Sequence, residues 1–225
     1  MMHTRNPSIR RRGRGRALVV TAVVAALQLA GCAPLVVGGA MVGGTMVYVD
    51  RRTTGAQVED QTIEVKSANR ATEVGGDRAH VNVTSYNRTV LLTGEAPTEA
   101  DRTAIEQAVQ RVENVRSTVN ELAVALPSSL STRSNDSFLT TKVKATFVDA
   151  KDLQANAIKV VTERGNVYLM GRVTEREATR ATDLARTVSG VQKVVRVFEI
   201  ISEAELAELT AKTETPPPKS EPPRK

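Results

Sequence analysis

The chain has 225 residues, which is enough for one or two domains. Its formal net charge is +6, but residues 1–31 hold six arginines and no acidic residue, whereas the rest of the chain carries 25 basic and 25 acidic side chains. Because nucleic-acid binding requires positive charge on the folded part of a protein, no nucleic-acid partner is expected.

Residues 1–31 have the organisation of a bacterial export signal. An arginine-rich stretch at residues 10–16 precedes 14 uncharged residues, 17–30, and this run is shorter than the ~20 residues needed to span a bilayer. The sequence Leu-Ala-Gly-Cys at residues 29–32 resembles the lipobox of bacterial lipoproteins. We therefore expect cleavage after Gly31 and lipidation of Cys32, whose acyl chains would anchor the mature protein.

The anchor has two alternatives, namely an unmodified Cys32 or an uncleaved membrane helix within residues 17–49. Pro34 and five glycines interrupt that stretch, which counts against the helix. Residue 33 is Ala rather than Asp, and by resemblance to sorted lipoproteins this implies the periplasmic face of the outer membrane. Residues 32–57 are expected to form a lipidated, glycine-rich tether.

Two copies of one sequence unit follow the tether. The segments 81–84 and 89–94 return as 158–161 and 166–171, at an offset of 77 residues. Alternating apolar and polar residues predict two strands in each copy, joined by a hairpin turn. Thr98 with Asp101, and Thr174 with Glu177, have the spacing of capping boxes and predict the start of a helix.

The remaining elements complete an α-β-β-α-β unit in each copy. Helices are predicted upstream at residues 60–72 and 136–148, and closing strands at 117–125 and 193–201. The predicted class is α+β, with two helices packed on a three-stranded sheet in each of two small domains, which we expect to be modestly stable on their own. The boundaries are 58–125 for the first domain, 126–134 for a linker, 135–202 for the second domain, and 203–225 for a proline-rich disordered tail.

Gly94 and Gly171 end the second strand of each copy. A glycine at such a position indicates either a positive φ or a close approach of the backbone that a side chain would prevent. We interpret both as structural glycines rather than as ligand contacts.

The two tandem units resemble BON domains. The resemblance is carried by residues 81–86, 89–94, 135–136, 140–143 and 169–177, and the lipobox, tether and two copies together resemble the outer-membrane lipoproteins with two BON domains. Membership implies a non-enzymatic envelope protein that binds anionic phospholipids (phosphatidylglycerol and cardiolipin) through its second domain. It also implies support of envelope integrity, a place at division sites, and links to the β-barrel assembly machinery and to cell-wall amidase control.

In that family the lipid contact lies on the first helix of the second domain, which here is residues 136–148. The helical spacing of Leu139, Val143 and Phe147 predicts the buried stripe of this helix. Four residues outside the stripe are the candidate phospholipid-binding residues, namely Phe138, Thr141, Lys142 and Lys144.

Charge supports this choice of domain, since residues 58–125 hold 7 basic and 11 acidic side chains whereas residues 134–202 hold 11 and 8. The alternative for Phe138 is a place at a domain contact or at the edge of the core. A further alternative for the whole protein is an interaction adaptor whose acidic first domain docks an envelope assembly factor, with lipid binding secondary.

No catalytic or cofactor-binding constellation is recognisable, so no enzyme activity and no cofactor are expected. The single cysteine excludes a multi-cysteine metal site, and His80 is the only histidine after residue 3, which excludes paired histidine ligands. No metal site is therefore expected.

Overall fold

The computed structural model describes residues 50–214. The predicted lipidation site Cys32 and the cleavage position after Gly31 lie outside these residues. None of the helices within residues 50–214 combines the length and the apolar character that crossing a bilayer requires.

The first domain contains two helices and a mixed sheet. Its elements are α1 (Thr54–Gly75), β1 (His80–Tyr86), β2 (Thr89–Ala96), α2 (Glu99–Gln110), β3 (Ser117–Asn120) and β4 (Ala123–Val124). Strand β2 is central, because it pairs antiparallel with β1 and parallel with both β3 and β4. The predicted closing strand at 117–125 is therefore present, but it is divided into two pieces.

The second domain repeats this arrangement. Its elements are α3 (Leu130–Asp149), β5 (Lys159–Glu163), β6 (Asn166–Val173), α4 (Glu175–Thr187) and β7 (Lys193–Ile200), followed by α5 (Glu203–Glu214). Strand β6 is central, antiparallel to β5 and parallel to β7. Both domains have the predicted α-β-β-α-β order, and the α+β class is confirmed.

The two helices of each domain cover one face of its sheet. In the first domain Ile63, Ile105 and Val109 pack on Val90 and Leu92 of β2. In the second domain the predicted stripe of Leu139, Val143 and Phe147 is buried against β6 and α4. The amphipathic spacing of the sequence therefore gave the correct inward face of α3.

The opposite faces of the two sheets are also buried, and they pack on one another. Tyr86 and Leu91 of the first domain form one apolar cluster with Tyr168 and Met170 of the second. Burial raises the pKa of Tyr86 and of Tyr168 to about 12. The two domains therefore share a third core that lies between their sheets.

A buried aspartate at the same place in each copy joins the first helix to the hairpin turn. Asp60 on α1 accepts hydrogen bonds from the backbone N–H groups of Asn87 and Arg88, and Asp136 on α3 accepts them from Arg164 and Gly165, all at 2.7–2.8 Å. Three of these four turn residues have positive φ in non-glycine positions: Asn87, Arg88 and Arg164. The aspartates satisfy N–H groups that such tight turns would otherwise bury without partners.

The two structural glycines lie where the backbone of the preceding strand or turn comes very close. A Cβ on Gly94 would be 2.1 Å from the carbonyl oxygen of His80, and the φ of Gly94 is +109°. A Cβ on Gly171 would be 2.4 Å from the carbonyl oxygen of Ala157, although its φ is not positive. The crowding comes from backbone, which cannot rotate away as a side chain can.

Several predicted boundaries need correction. Helix α1 begins at Thr54, inside the predicted tether, and α3 begins at Leu130, inside the predicted linker. The first part of the predicted disordered tail is helix α5, Glu203–Glu214. The prolines on which the prediction of disorder rests all lie after Glu214, and residues 203–214 contain none.

One of the two predicted capping boxes is complete. At α4 the hydroxyl of Thr174 accepts from the N–H of Glu177, and the Glu177 carboxylate accepts from the N–H of Thr174. At α2 the Thr98 hydroxyl caps the N–H of Asp101 and also donates to its carboxylate. The aspartate side chain is one methylene shorter than that of glutamate, so the reciprocal half is made by hydroxyl and carboxylate instead.

Candidate membrane-binding surface and domain interface

The candidate phospholipid-binding residues all lie on α3, outside its buried stripe. Phe138 is 64% exposed, and Thr141 and Lys144 are exposed, whereas Lys142 is half-buried. The Nζ atom of Lys142 lies 5.8 Å from the centroid of the Phe138 ring, within cation–π range. We call Phe138, Thr141, Lys142 and Lys144 the α3 surface.

The structure does not place Phe138 at the domain contact. That contact is made by the sheets, whereas α3 covers the other face of its sheet. An exposed phenylalanine on the outer layer is unusual, because burying a phenylalanine side chain stabilises a folded protein by about 1.5–3 kcal/mol. The alternative of a core-edge position is also not favoured, since most of the ring is open to solvent.

The charges on the α3 surface are only partly paired inside the protein. Lys142 donates one hydrogen bond to the carbonyl oxygen of Ser189 at 2.7 Å. An ammonium group has three donors, so this bond orients the side chain and leaves further donors for a ligand. The two acidic residues of α3 do not pair with Lys142. The Asp136 carboxylate is buried and accepts hydrogen bonds from the hairpin turn, and Asp149 is the last residue of the helix.

A second notable region is the domain interface, where buried polar contacts surround the shared apolar cluster. Arg51 forms a bidentate ion pair with Glu177 of α4, with both N–O distances at 2.7 Å, and donates to the carbonyl oxygen of Arg172. Lys159 of β5 pairs with Glu64 of α1 at 2.6 Å. Arg51 lies in the predicted tether and Glu177 in a predicted capping box, and neither was expected to join the domains.

Glu199 of β7 continues this polar rim. It accepts from the amide of Asn87 at 2.6 Å and pairs with Arg116 at 3.0 Å, both from the first domain. Burial by itself would raise the pKa of Glu199, but the hydrogen bonds from Asn87 and Arg116 outweigh burial and lower it. The rim therefore holds an ionised carboxylate in place between the domains.

At another part of the interface, three side chains with metal-ligating atoms come together. His80 of β1, Glu95 of β2 and Glu163 of β5 have ligand atoms within 4.8 Å of one another. The composition excluded metal sites with several cysteines or with paired histidines. It did not exclude a metal site made of one histidine and two glutamates from separate domains. The register of β1 on β2 pairs His80 with Glu95, and a correct strand alignment would have revealed that half of the cluster.

Comparison with known proteins gives the class of this fold. Residues 59–125 and 135–202 each match the BON domain. Over 180 residues the chain is 39% identical to the outer membrane lipoprotein DolP of Haemophilus influenzae, an alignment that covers 79% of this chain and 92% of that protein. Over 155 residues it is 32% identical to the 21 kDa hemolysin of Actinobacillus pleuropneumoniae, covering 68% and 80% of the two chains.

The chain therefore belongs to the DolP family of outer-membrane lipoproteins with two BON domains. Its location is the outer membrane, to which a lipid anchors it. Among solved structures, CdsD, a structural protein of the type III secretion system of Chlamydia trachomatis, is 12% identical with a TM-score of 0.27, covering 67% of this chain and 99% of that one. A similarity at this level supports no statement about function.

Proposed function

We propose that the protein binds anionic phospholipids through the α3 surface. The observation that carries the proposal is the exposed ring of Phe138 beside the ammonium group of Lys142. At a bilayer surface such a ring inserts into the boundary between headgroups and acyl chains, while lysines meet the phosphates. Phosphatidylglycerol and cardiolipin are the proposed lipids.

Additional apolar area on α3 and the favourable net charge of its domain support this. Val148 of α3 is 70% exposed and would enlarge the inserted surface. Residues 134–202 carry 11 basic and 8 acidic side chains, so the second domain is attracted to an anionic surface, whereas the acidic first domain is repelled. Each basic residue close to such a membrane contributes about 1 kcal/mol.

We further propose Cys32 as the lipidated residue, with cleavage after Gly31. Asp50, where the described chain begins, lies only 18 positions after Cys32. Even fully extended, that length spans at most about 60 Å. The anchor therefore keeps α3 at a high local concentration near the bilayer, so a weak contact is sufficient. Mass spectrometry of the mature protein tests this, since acylation at any other residue, or an intact amino terminus, contradicts it.

Vesicle flotation tests the α3 surface. In the chain that begins at residue 32 and carries Cys32→Ser, the double change Phe138→Glu with Lys142→Glu should reduce binding to phosphatidylglycerol vesicles at least tenfold, because it removes the apolar insertion and reverses the charge. Vesicles of a neutral phospholipid should bind the parent weakly. Circular dichroism should be unchanged, since neither residue belongs to the buried stripe.

The first domain offers a matched control. Buried residues of α1 and α3 correspond at an offset of 76 residues; Ile63, for example, corresponds to Leu139. At this offset Thr62 corresponds to Phe138, and Lys66 corresponds to Lys142. The change Thr62→Glu with Lys66→Glu alters net charge by the same amount on the equivalent helix. It should retain most of the binding, and an equal loss from both double variants would show that net charge alone is responsible.

A second candidate function is a docking adaptor for an envelope assembly factor, such as the β-barrel assembly machinery. Val58 and Val65 favour it, because they lie two turns apart on α1 of the acidic first domain and are both more than half exposed. If this alternative is correct, crosslinking from these positions in the lipidated protein should capture a protein partner. Crosslinking only from α3, and only to phospholipid, would reject it.

On either candidate the role is non-enzymatic, in support of envelope integrity and of processes at the division site. A deletion strain complemented with the Phe138→Glu, Lys142→Glu variant tests that link. The variant should restore outer-membrane resistance to detergents less well than the parent at equal abundance.

A further inference from the structure

The cluster of His80, Glu95 and Glu163 lies where the two sheets meet. His80 and Glu95 belong to adjacent strands of the first domain, and Glu163 ends β5 in the second. The Nδ1 atom of His80 lies 3.1 Å from Oε2 of Glu95, and the ligand atoms of all three residues lie within 4.8 Å of one another. Any ligand held by all three would bridge the domains.

Glu95 has an unusual environment for a carboxylate. Its exposure is 0%, and its Oε1 atom has no hydrogen-bond partner in the described part of the chain. Leaving a buried acceptor unpaired costs about 1–3 kcal/mol, and more for a charged group. A buried acceptor without a donor is a common sign of a bound ion or an ordered water.

Glu163 adds a second carboxylate to the same place. Burial raises the pKa of Glu163, and the nearby Glu95 raises it further, although a hydrogen bond from Asn82 acts in the other direction. The Asn82 amide donates to Oε2 of Glu163 at 2.7 Å, which fixes the carboxylate. Such a bond from a neighbouring residue orients a metal-binding carboxylate in known sites.

The repeated fold does not require this chemistry. The equivalents of Gly94 and of the His80 carbonyl are Gly171 and the Ala157 carbonyl, which make the same close approach. At the same offset of 77 residues, Glu95 corresponds to Arg172 and Glu163 corresponds to Tyr86. The second copy therefore builds the same backbone with Ala157 and Arg172 in place of His80 and Glu95, and the first copy has Tyr86 in place of Glu163.

We propose that His80, Glu95 and Glu163 bind a divalent metal ion of the Zn²⁺ class that bridges the two domains. Imidazole nitrogen and carboxylate oxygen are both zinc ligands, with bonds of about 2.0–2.2 Å. In a tetrahedral site ligand atoms lie roughly 3.3–3.6 Å apart, so the His80–Glu95 pair at 3.1 Å has to open by a few tenths of an ångström and Glu163 has to move closer by a side-chain rotation. A water molecule would be the fourth ligand.

The ion has a route from solvent. A groove of about 640 Å³ between the domains is lined by Glu95 and Glu163 and also by Glu121 and Asp136. The Asp136 carboxylate is occupied by two backbone N–H groups, so it adds negative potential without competing as a ligand. The lining carries these four carboxylates and the one guanidinium of Arg164, and its net negative charge concentrates cations in the groove.

Zinc titration of the full chain in detergent, after removal of metal with a chelator, tests the proposal by calorimetry. The parent should bind one Zn²⁺, and the changes His80→Gln and Glu163→Gln should each weaken binding at least tenfold. Glu121→Gln is the matched control, because it removes a carboxylate from the same groove but not from the cluster. It should bind zinc as the parent does.

Thermal unfolding is the second measurement. Zinc should raise the unfolding temperature of the parent and of Glu121→Gln, because the bridged state exists only in the folded protein. It should not raise that of His80→Gln, whose circular dichroism reports whether the variant folds. The proposal is overturned if the parent takes up no zinc, or if His80→Gln and Glu163→Gln bind zinc as tightly as the parent.

Discussion

Arg51 and Glu177 form a bidentate ion pair in which both side chains are almost completely buried, with both N–O distances at 2.7 Å. Arg51 precedes the first helix of the first domain, and Glu177 completes the capping box of α4 in the second. One side chain thereby serves a helix start and a domain contact. Residues 50–53, directly before α1, are consequently part of the folded unit rather than of a free tether.

Breaking this pair should be costly. We expect Arg51→Met to lower the free energy of unfolding by about 3–5 kcal/mol, because it leaves the Glu177 carboxylate buried without its cation. Denaturant unfolding followed by circular dichroism measures the loss. Arg70→Met is a matched control, since Arg70 pairs with Glu73 at the surface and its removal should cost less than about 1 kcal/mol.

Neutralising both partners should recover part of that loss. The double change Arg51→Met with Glu177→Gln keeps a hydrogen-bonding side chain at the capping box and leaves no buried charge. We expect it to be more stable than Arg51→Met alone. Equal stabilities of the single and double variants would show that Glu177 is not strained by the loss of its partner.

Stability should fall on acidification. Burial alone would raise the pKa of Glu177, but the hydrogen bonds from Arg51 and Thr174 outweigh it, so the pKa lies below its ordinary value of 4.5. The pKa of Asp60 is lowered in the same way. Burial alone would raise it, but the hydrogen bonds from Arg88, Ser85 and Arg52 outweigh burial. The ionised forms therefore contribute stability that is fully present above the unfolded pKa and is lost as the pH falls through the folded pKa.

Glu177→Gln should reduce that pH dependence. Below about pH 4.5 the unfolding free energy of the parent should fall more steeply than that of the variant, by up to about 1.4 kcal/mol per pH unit for this one group. Denaturant unfolding between pH 3 and pH 7 gives both slopes. Identical slopes would mean that Glu177 titrates alike in the folded and unfolded protein.

Gly94→Ala and Gly171→Ala should each destabilise the protein by more than about 2 kcal/mol. The new Cβ would lie 2.1 or 2.4 Å from a backbone carbonyl oxygen, and Gly94 also has a φ of +109°. Gly171→Glu should prevent the second domain from folding. Gly55→Ala is the control, because its Cβ would meet nothing closer than 3.9 Å in the first turn of α1, and a gain or no change is expected.

The shared core between the sheets should couple the two domains. Leu91→Ala in the first domain should cost about 2–5 kcal/mol and should also speed amide hydrogen exchange in β6 of the second domain, because Leu91 packs with Tyr168 and Met170. Leu126→Ala, at an exposed position, should change neither. Unaltered exchange in β6 of the Leu91 variant would show that the domains are energetically independent.

The local elements were predictable because they depend on short-range periodicity. The spacing of Leu139, Val143 and Phe147 gave the buried face of α3, and Thr174 with Glu177 gave the start of α4. The same helical spacing placed Phe138 outside the buried stripe, and the structure confirms that its side chain is exposed. That it contacts lipid stays a prediction.

The packing of the sheets was harder to predict. Leu91, Tyr168 and Met170 interrupt the apolar–polar alternation, and a strand that is apolar on both sides is typical of one buried on both faces. The alternation at Val90 and Leu92 marks only the sheet face that the helices cover, and on that alternation alone each domain has one covered sheet face. The second apolar face was the signal that the domains pack together.

The amino-acid sequence alone specified the lipobox and the two α-β-β-α-β copies, including the apolar face of each helix. These features depend only on neighbours within a few residues. Only the tertiary structure decided that Arg51 meets Glu177, and that His80 and Glu95 meet Glu163. Those contacts join residues more than 60 positions apart in different domains. Their formation depends on how two sheets stack, and no local pattern encodes that geometry.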